Sequence, residues 1–131
     1  MSNAALLCVD DELAILKALK EQFKRLFGKR YIYEVAQSAE EAWEVIGEFE
    51  EDDVDVLIIV SDWLMPNVRG DEFLAQVHVK FPDIIKILLT GQADDSAIDQ
   101  AKIKANLHRC LNKPWSEDEL IETIRSGLAK L

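Results

Sequence analysis

Apolar positions along this chain follow two periods in turn, and the alternation sets the expected fold. Five short runs have the continuous apolar or β-branched character of strands. Each is followed by a segment with apolar residues three or four apart, the period of a helix packed on one side. The first run, Ala5 to Val9, ends at Asp10-Asp11. Leu13, Leu16, Leu19, Phe23, Leu26 and Phe27 then share one helical face, and Gly28 supplies a stop. Tyr31 to Ala36 predicts a second strand from its β-branched and aromatic residues. Ser38 and Glu41 form a capping box that opens a helix through Ala42, Trp43, Ile46 and Phe49.

Val54 to Val60 reads as a strand buried on both faces and runs into Ser61-Asp62, followed by a loop with Pro66 and Gly70. Phe73, Leu74, Val77 and Phe81 mark a third helix that Pro82 stops. Ile84 to Leu89 predicts strand four, ending at Thr90-Gly91. Asp94 or Asp95 then caps a weaker helix with Ala97, Ile98 and Ala101 inward. Leu107 to Leu111 predicts strand five, ending at Asn112-Lys113-Pro114. A second capping box, Ser116 to Glu119, starts a last helix with Leu120, Ile121, Ile124 and Leu128 inward. Strands alternating strictly with helices imply an α/β fold, a doubly wound five-stranded parallel sheet with helices on both faces. The strand order 2-1-3-4-5 is taken by analogy with other sheets of this kind. One domain over residues 1–131 is expected, with residues 1–4 read as a leader or expression remnant.

Charge narrows the partners. Fifteen basic against 25 acidic residues give a net charge of −10, which argues against direct nucleic acid binding. No apolar run reaches the ~20 residues of a membrane span, so no membrane association is expected. Cys8 and Cys110 lie far apart without metal-ligand spacing. They read as free thiols in a reducing compartment, and hence a cytoplasmic protein.

In a parallel sheet all strand carboxyl ends share one edge, where ligands bind. Asp10 and Asp11 follow strand one, Asp62 strand three, Thr90 strand four and Lys113 strand five. Each has an ordinary use alone: a helix cap, a loop acid, a turn threonine, a surface lysine. Together they converge. Two carboxylates about 5 Å apart repel by about 3 kcal/mol at an effective dielectric near 20, so three of them call for a cation. Oxygen-only donors point to a hard ion, and magnesium fits a small carboxylate set that leaves room for phosphate oxygens. A carboxylate, a magnesium ion, a hydroxyl and an amine are the components of phosphoryl transfer to aspartate.

Asp10-Asp11, Asp62 with Met65-Pro66 and Gly70, Thr90-Gly91 and Lys113-Pro114 resemble, in order and over almost the whole chain, the response-regulator receiver domain of two-component signalling, a flavodoxin-like fold. The resemblance implies that Asp62 is the phosphoacceptor. It implies that Asp11 and Asp62 bind Mg2+ (or Mn2+) directly with the Leu64 backbone carbonyl, while Asp10 holds a coordinated water. Lys113 pairs with the phosphoryl group, its bond to Pro114 is cis, and Thr90 swings onto a phosphoryl oxygen. Leu64 and Gln92 stand where receivers tune phosphoryl lifetime. The implied partners are a histidine kinase or phosphotransfer protein, an output domain or partner protein, and a phosphorylation-dependent dimer. Such a domain catalyses its own phosphorylation and dephosphorylation without being a conventional turnover enzyme. The segments Leu89 to Ala93 and Ala105 to Trp115 resemble receivers attached to larger signalling enzymes.

Cys110 departs from the pattern, since receivers usually carry Tyr or Phe three residues before the lysine. A thiol does not replace a ring, so retained chemistry with altered output is expected. His78 and His108 lack a partner acid at useful spacing and are expected at the surface. Trp43 and Trp115 are expected in packing, and Trp63 at the pocket rim. The competing reading is a phosphorylation-independent interaction module. A haloacid dehalogenase-type phosphatase would need Asp-x-Asp after strand one, and an acidic first loop repels the phosphate of a flavin.

Overall fold

The computed structural model describes residues 3–91 and 95–131. The chain runs β1 (Ala4–Val9), α1 (Leu13–Phe27), a 3-10 turn (Gly28–Arg30), β2 (Ile32–Ala36), α2 (Ala39–Glu51), β3 (Asp55–Asp62), α3 (Gly70–Lys80), β4 (Ile85–Thr90), α4 (Asp95–Lys104), β5 (Arg109–Asn112) and α5 (Glu117–Leu128). The five strands are parallel in the order β2-β1-β3-β4-β5. This is the expected doubly wound sheet.

Alternation along the strands makes two cores. Leu6, Cys8, Ile58, Val60, Ile87 and Leu89 face α1 and α5, where they meet Leu16, Leu19, Phe23, Leu120 and Ile124. Leu7, Val9, Ile59 and Leu88 face the other side and pack with Ala42, Ile46, Phe73, Leu74 and Val77 of α2 and α3. The caps are local. The Ser38 Oγ accepts from the Glu41 N–H at 3.1 Å, and the Ser116 Oγ accepts from the Glu119 N–H at 3.1 Å. The Glu41 carboxylate reaches back to the Gln37 N–H, one residue earlier than a reciprocal box would have it. Pro82 ends α3, with the Phe81 N–H closing on the Val77 carbonyl at 2.6 Å.

Several expectations need adjusting. Leu13, expected on the inward face, is 51% exposed in the first turn of α1, and the buried face begins at Leu16. The N-cap of α1 is Glu12 with no side-chain cap, so Asp11 does not serve as one. His78 and His108 are half-buried, not surface residues. His78 Nδ1 lies 3.0 Å from the ammonium of the buried Lys86, and His108 Nε2 lies 2.8 Å from the Ser126 Oγ. Burial, reinforced by Lys130 and Arg109, pushes the His108 imidazole below its ordinary range. Trp43 packs edge-on to Phe73 at 5.6 Å, and the Trp115 indole donates to Gln22, so both are packing residues as expected. Asp94 and Gln92 lie outside the described residues, as do Met1 and Ser2. No helix among the described residues is long and apolar enough to cross a membrane.

Candidate functional site

Strand register brings the dispersed polar residues together. Val9 pairs with Ser61, so Asp10 emerges beside Asp62; Asp62 pairs with Leu89, and Thr90 with Asn112, so Thr90 and Lys113 reach the same edge. Carboxylate oxygens of Asp10, Asp11 and Asp62 all lie within 4.8 Å of one another. The Lys113 Nζ stands 2.7 Å from Asp10 Oδ2 and 3.0 Å from Asp62 Oδ1. Its backbone N–H donates to the Thr90 carbonyl at 2.9 Å, and the Lys113-Pro114 bond is cis, as the resemblance implied.

Each acid is held differently. Asp10 is wholly buried: one oxygen accepts from Lys113 and the other from the Glu12 N–H at 2.9 Å. Asp62, 6% exposed, ends β3, while Asp11 is exposed to solvent. The backbone around Asp62 is clamped on three sides. The Ser61 Oγ donates to its carbonyl at 3.1 Å, the Trp63 N–H donates to the Leu89 carbonyl at 2.8 Å, and the Gly70 N–H donates to the Trp63 carbonyl at 2.7 Å. A Cβ on Gly70 would fall 1.7 Å from the Asp62 carbonyl oxygen, so only glycine permits this closure of the loop onto the strand. Sequence reading marked Gly70 by resemblance and passed over Ser61; a serine inside an otherwise apolar buried run was the available signal.

The electrostatics follow from burial. Desolvation raises the Asp10 and Asp62 carboxyls above their usual range, and the hydrogen bonds from Lys113 only partly offset it. Burial alone would lower the Lys113 ammonium, but the combined hydrogen bonds and charges of Asp10 and Asp62 outweigh it and raise it. Three carboxylates and one ammonium leave a formal charge of −2 when all are ionised. A hard divalent cation matches both that charge and the oxygen-only donor set.

Around this centre the other named residues are arrayed in sequence. Leu64 follows Asp62 by two positions, with its side chain 55% exposed. Thr90 is buried at the end of β4. Trp63 packs against the α2–α3 core, with the Arg69 guanidinium 5.8 Å from its ring centroid. Cys110 is half-buried in β5 opposite Leu88, and burial pushes its thiol above the ordinary range. Cys8 and Cys110 are free thiols that contact opposite cores.

Comparison with known proteins gives a consistent picture. The response regulator receiver domain family matches over residues 6–125. The hydrogenase transcriptional regulatory protein HoxA of Cupriavidus necator is 31% identical over 130 residues, which cover 96% of this chain and 24% of that protein. The chain thus spans about a quarter of the length of that regulator. A chemotaxis protein CheY homolog of Campylobacter jejuni is 29% identical over 94% of this chain and 91% of its own. Among solved structures, the signal receiver domain of an HD domain-containing protein from Pseudomonas fluorescens Pf-5 superposes with a TM-score of 0.85. It is 28% identical and covers 96% of this chain and 94% of its own.

Proposed function

This chain belongs to the response regulator receiver domain family of two-component signalling, and we propose that it accepts a phosphoryl group on Asp62 in a magnesium-dependent reaction. One observation carries the reading: the Lys113 ammonium bridges Asp10 and Asp62, while the three carboxylates converge within 4.8 Å and remain under-neutralised.

Asp11, Asp62 and the backbone carbonyl of Leu64 would hold the ion, with Asp10 holding one of its waters; Mn2+ has the same donor preference. When bound, the ion neutralises charge on the phosphoryl oxygens and draws the carboxylates into their ionised form. Asp62 then presents an oxygen in line with the phosphorus of a phosphohistidine on a histidine kinase or phosphotransfer protein. The Asp62 O–P bond forms as the P–N bond breaks, and the electron pair stays on the imidazole nitrogen, which takes up a proton. Lys113 moves its hydrogen bond from Asp62 to a phosphoryl oxygen, remaining anchored by Asp10 and by the Thr90 carbonyl. Thr90 donates its hydroxyl to another phosphoryl oxygen, which couples the reaction to α4. Reversal to the resting state uses water: its oxygen bonds to phosphorus, the Asp62 O–P bond breaks, and phosphate leaves. The signal passes to an output domain or partner protein in the cytoplasm, where both thiols stay reduced.

Cys110 is the one observation on the side of a phosphorylation-independent interaction module, because it removes the ring that would move with Thr90. The complete acid–lysine site outweighs it. Incubation with acetyl phosphate and magnesium, read by intact mass, decides between the two. The wild type gains one phosphoryl group and Asp62→Ala gains none; a wild type that stays unmodified, with or without magnesium, would overturn the reading.

A further inference from the structure

The charge of this chain is unevenly distributed. Residues 17–30 hold Lys17, Lys20, Lys24, Arg25, Lys29 and Arg30 against the single acid Glu21. From residue 31 to residue 68 there is no lysine or arginine, while α2 exposes Glu40, Glu41, Glu44, Glu48, Glu50 and Glu51. These two segments flank one structural feature, the edge of β2, which among the described residues pairs only with β1. α1 lies on one face of that edge and α2 on the other.

Helical phase shows which flanks meet the edge. On α1, Gln22 and Arg25 face the loop before α5 and its first residue, through the Trp115 indole at 2.9 Å and Glu117 at 2.6 Å. At 3.6 residues per turn the opposite flank carries Lys17, Lys20 and Lys24, and Lys20 and Lys24 line a groove with Tyr31 and Tyr33 beside β2. On α2, Trp43 faces Phe73 of α3 and the neighbouring Phe81, so at 3.6 residues per turn the opposite flank, toward the same edge, carries Glu41 and Glu48 with the partly buried Val45 between them. A lysine row and a glutamate row thus border one sheet edge on its two faces.

We propose that this edge docks a second copy of the chain. A twofold axis along the strand direction at the β2 edge keeps the strands parallel and exchanges the faces. It sets the α1 lysines of each copy beside the α2 glutamates of the other, an isologous and therefore closed contact. α1 and α2 each follow a parallel strand and start from the same carboxyl edge of the sheet, so the lysines and the glutamates run away from that edge in the same direction. Glu34 covers the Val35 N–H at 3.1 Å, which takes one donor away from a strand ladder, and the docking is carried by the helix flanks. The surface is separate from the Asp62 site and does not rest on the reading of that site.

Salt dependence distinguishes this contact from others. The net charge of −10 repels two copies at long range, whereas the rows attract at contact. With a Debye length of about 10 Å at 0.1 M and about 3 Å at 1 M, pairing should be strongest near the lower value and lost at the higher. Sedimentation velocity on the whole chain provides the test. At about 0.1 M salt the mass should rise with concentration from 14.9 kDa toward twice that, and at about 1 M it should stay at the monomer. Lys20→Glu/Lys24→Glu and Glu41→Lys/Glu48→Lys should each be folded by circular dichroism and monomeric. Mixed in equal amounts they should pair, since both rows are then complementary. A wild type that is monomeric throughout, a dimer that survives charge reversal, or a mixture that stays monomeric would each overturn the proposal.

Discussion

Around Asp62, the side chains from β1, β3 and the end of β5 are each held by several contacts, whereas the flank formed by α4 and Cys110 is more lightly packed. Asp10 is wholly buried with both oxygens occupied, and Lys113 bridges two acids while its backbone is fixed to Thr90. By contrast α4 buries only Ala101 and leaves Ile103 82% exposed, and Cys110 is a small, half-buried side chain opposite Leu88. α5, the next helix, buries Leu120, Thr123, Ile124 and Gly127. Burying charge demands fixed partners, because a displaced partner leaves an uncompensated ion. A segment that reports a change of state needs the reverse, few buried contacts and a small cost of rearrangement. The two sides therefore differ in how strongly each resists displacement.

The largest effect should come from the tightly held side. Gly70→Ala forces its Cβ against the Asp62 carbonyl, where backbone and not a flexible side chain must give way. A loss of about 3 kcal/mol in urea unfolding is expected, together with loss of phosphoryl uptake. An unchanged midpoint would show that the loop is looser than the contact implies. Lys113→Met should follow, slowing uptake from acetyl phosphate on the order of 100-fold while the fold persists, as measured by quenched intact mass. A rate within a factor of two of the wild type would remove Lys113 from the chemistry.

A smaller effect concerns pH. Because burial raises the Asp10 and Asp62 carboxyls, the folded protein retains protons that the unfolded chain has released. The contribution of these two carboxyls to metal-free stability is thus fully present below the ordinary carboxylate range and is lost as pH rises through the folded values. Asp62→Asn should flatten that decline and raise the neutral-pH melting temperature by about 4 °C, with saturating magnesium narrowing the difference by stabilising the wild type. A difference between Asp62→Asn and metal-free wild type that does not grow from the carboxylate range to neutrality would contradict the assigned direction.

Most of the fold was legible because it depends on local signals. Periods of two and 3.6, the Ser38 and Ser116 caps and the Pro82 stop each act within a few residues, and the structure places all five strands and helices in the expected order. The meeting of Asp10, Asp11, Asp62 and Lys113 was legible for a different reason: parallel topology sends every strand end to one edge, so position along each strand is enough. What stayed hidden depended on partners far apart in the chain. Lys86 sits inside an apolar strand, and nothing nearby announces that its ammonium reaches His78 and the Pro82 carbonyl at the end of α3. His108 likewise looked exposed until α5 brought Ser126 against it. The need for glycine at position 70 became a physical requirement only once the Asp62 carbonyl was in place beneath it.

Amide chemical shifts on adding beryllofluoride and magnesium test the contrast between the two sides most directly. The expected result is large shifts at residues 61–63 and at Lys113, with smaller but definite shifts across Asp95–Lys104 of α4. Shifts confined to the residues around Asp62 would contradict coupling to α4, and no shift at Asp62 itself would contradict the chemistry.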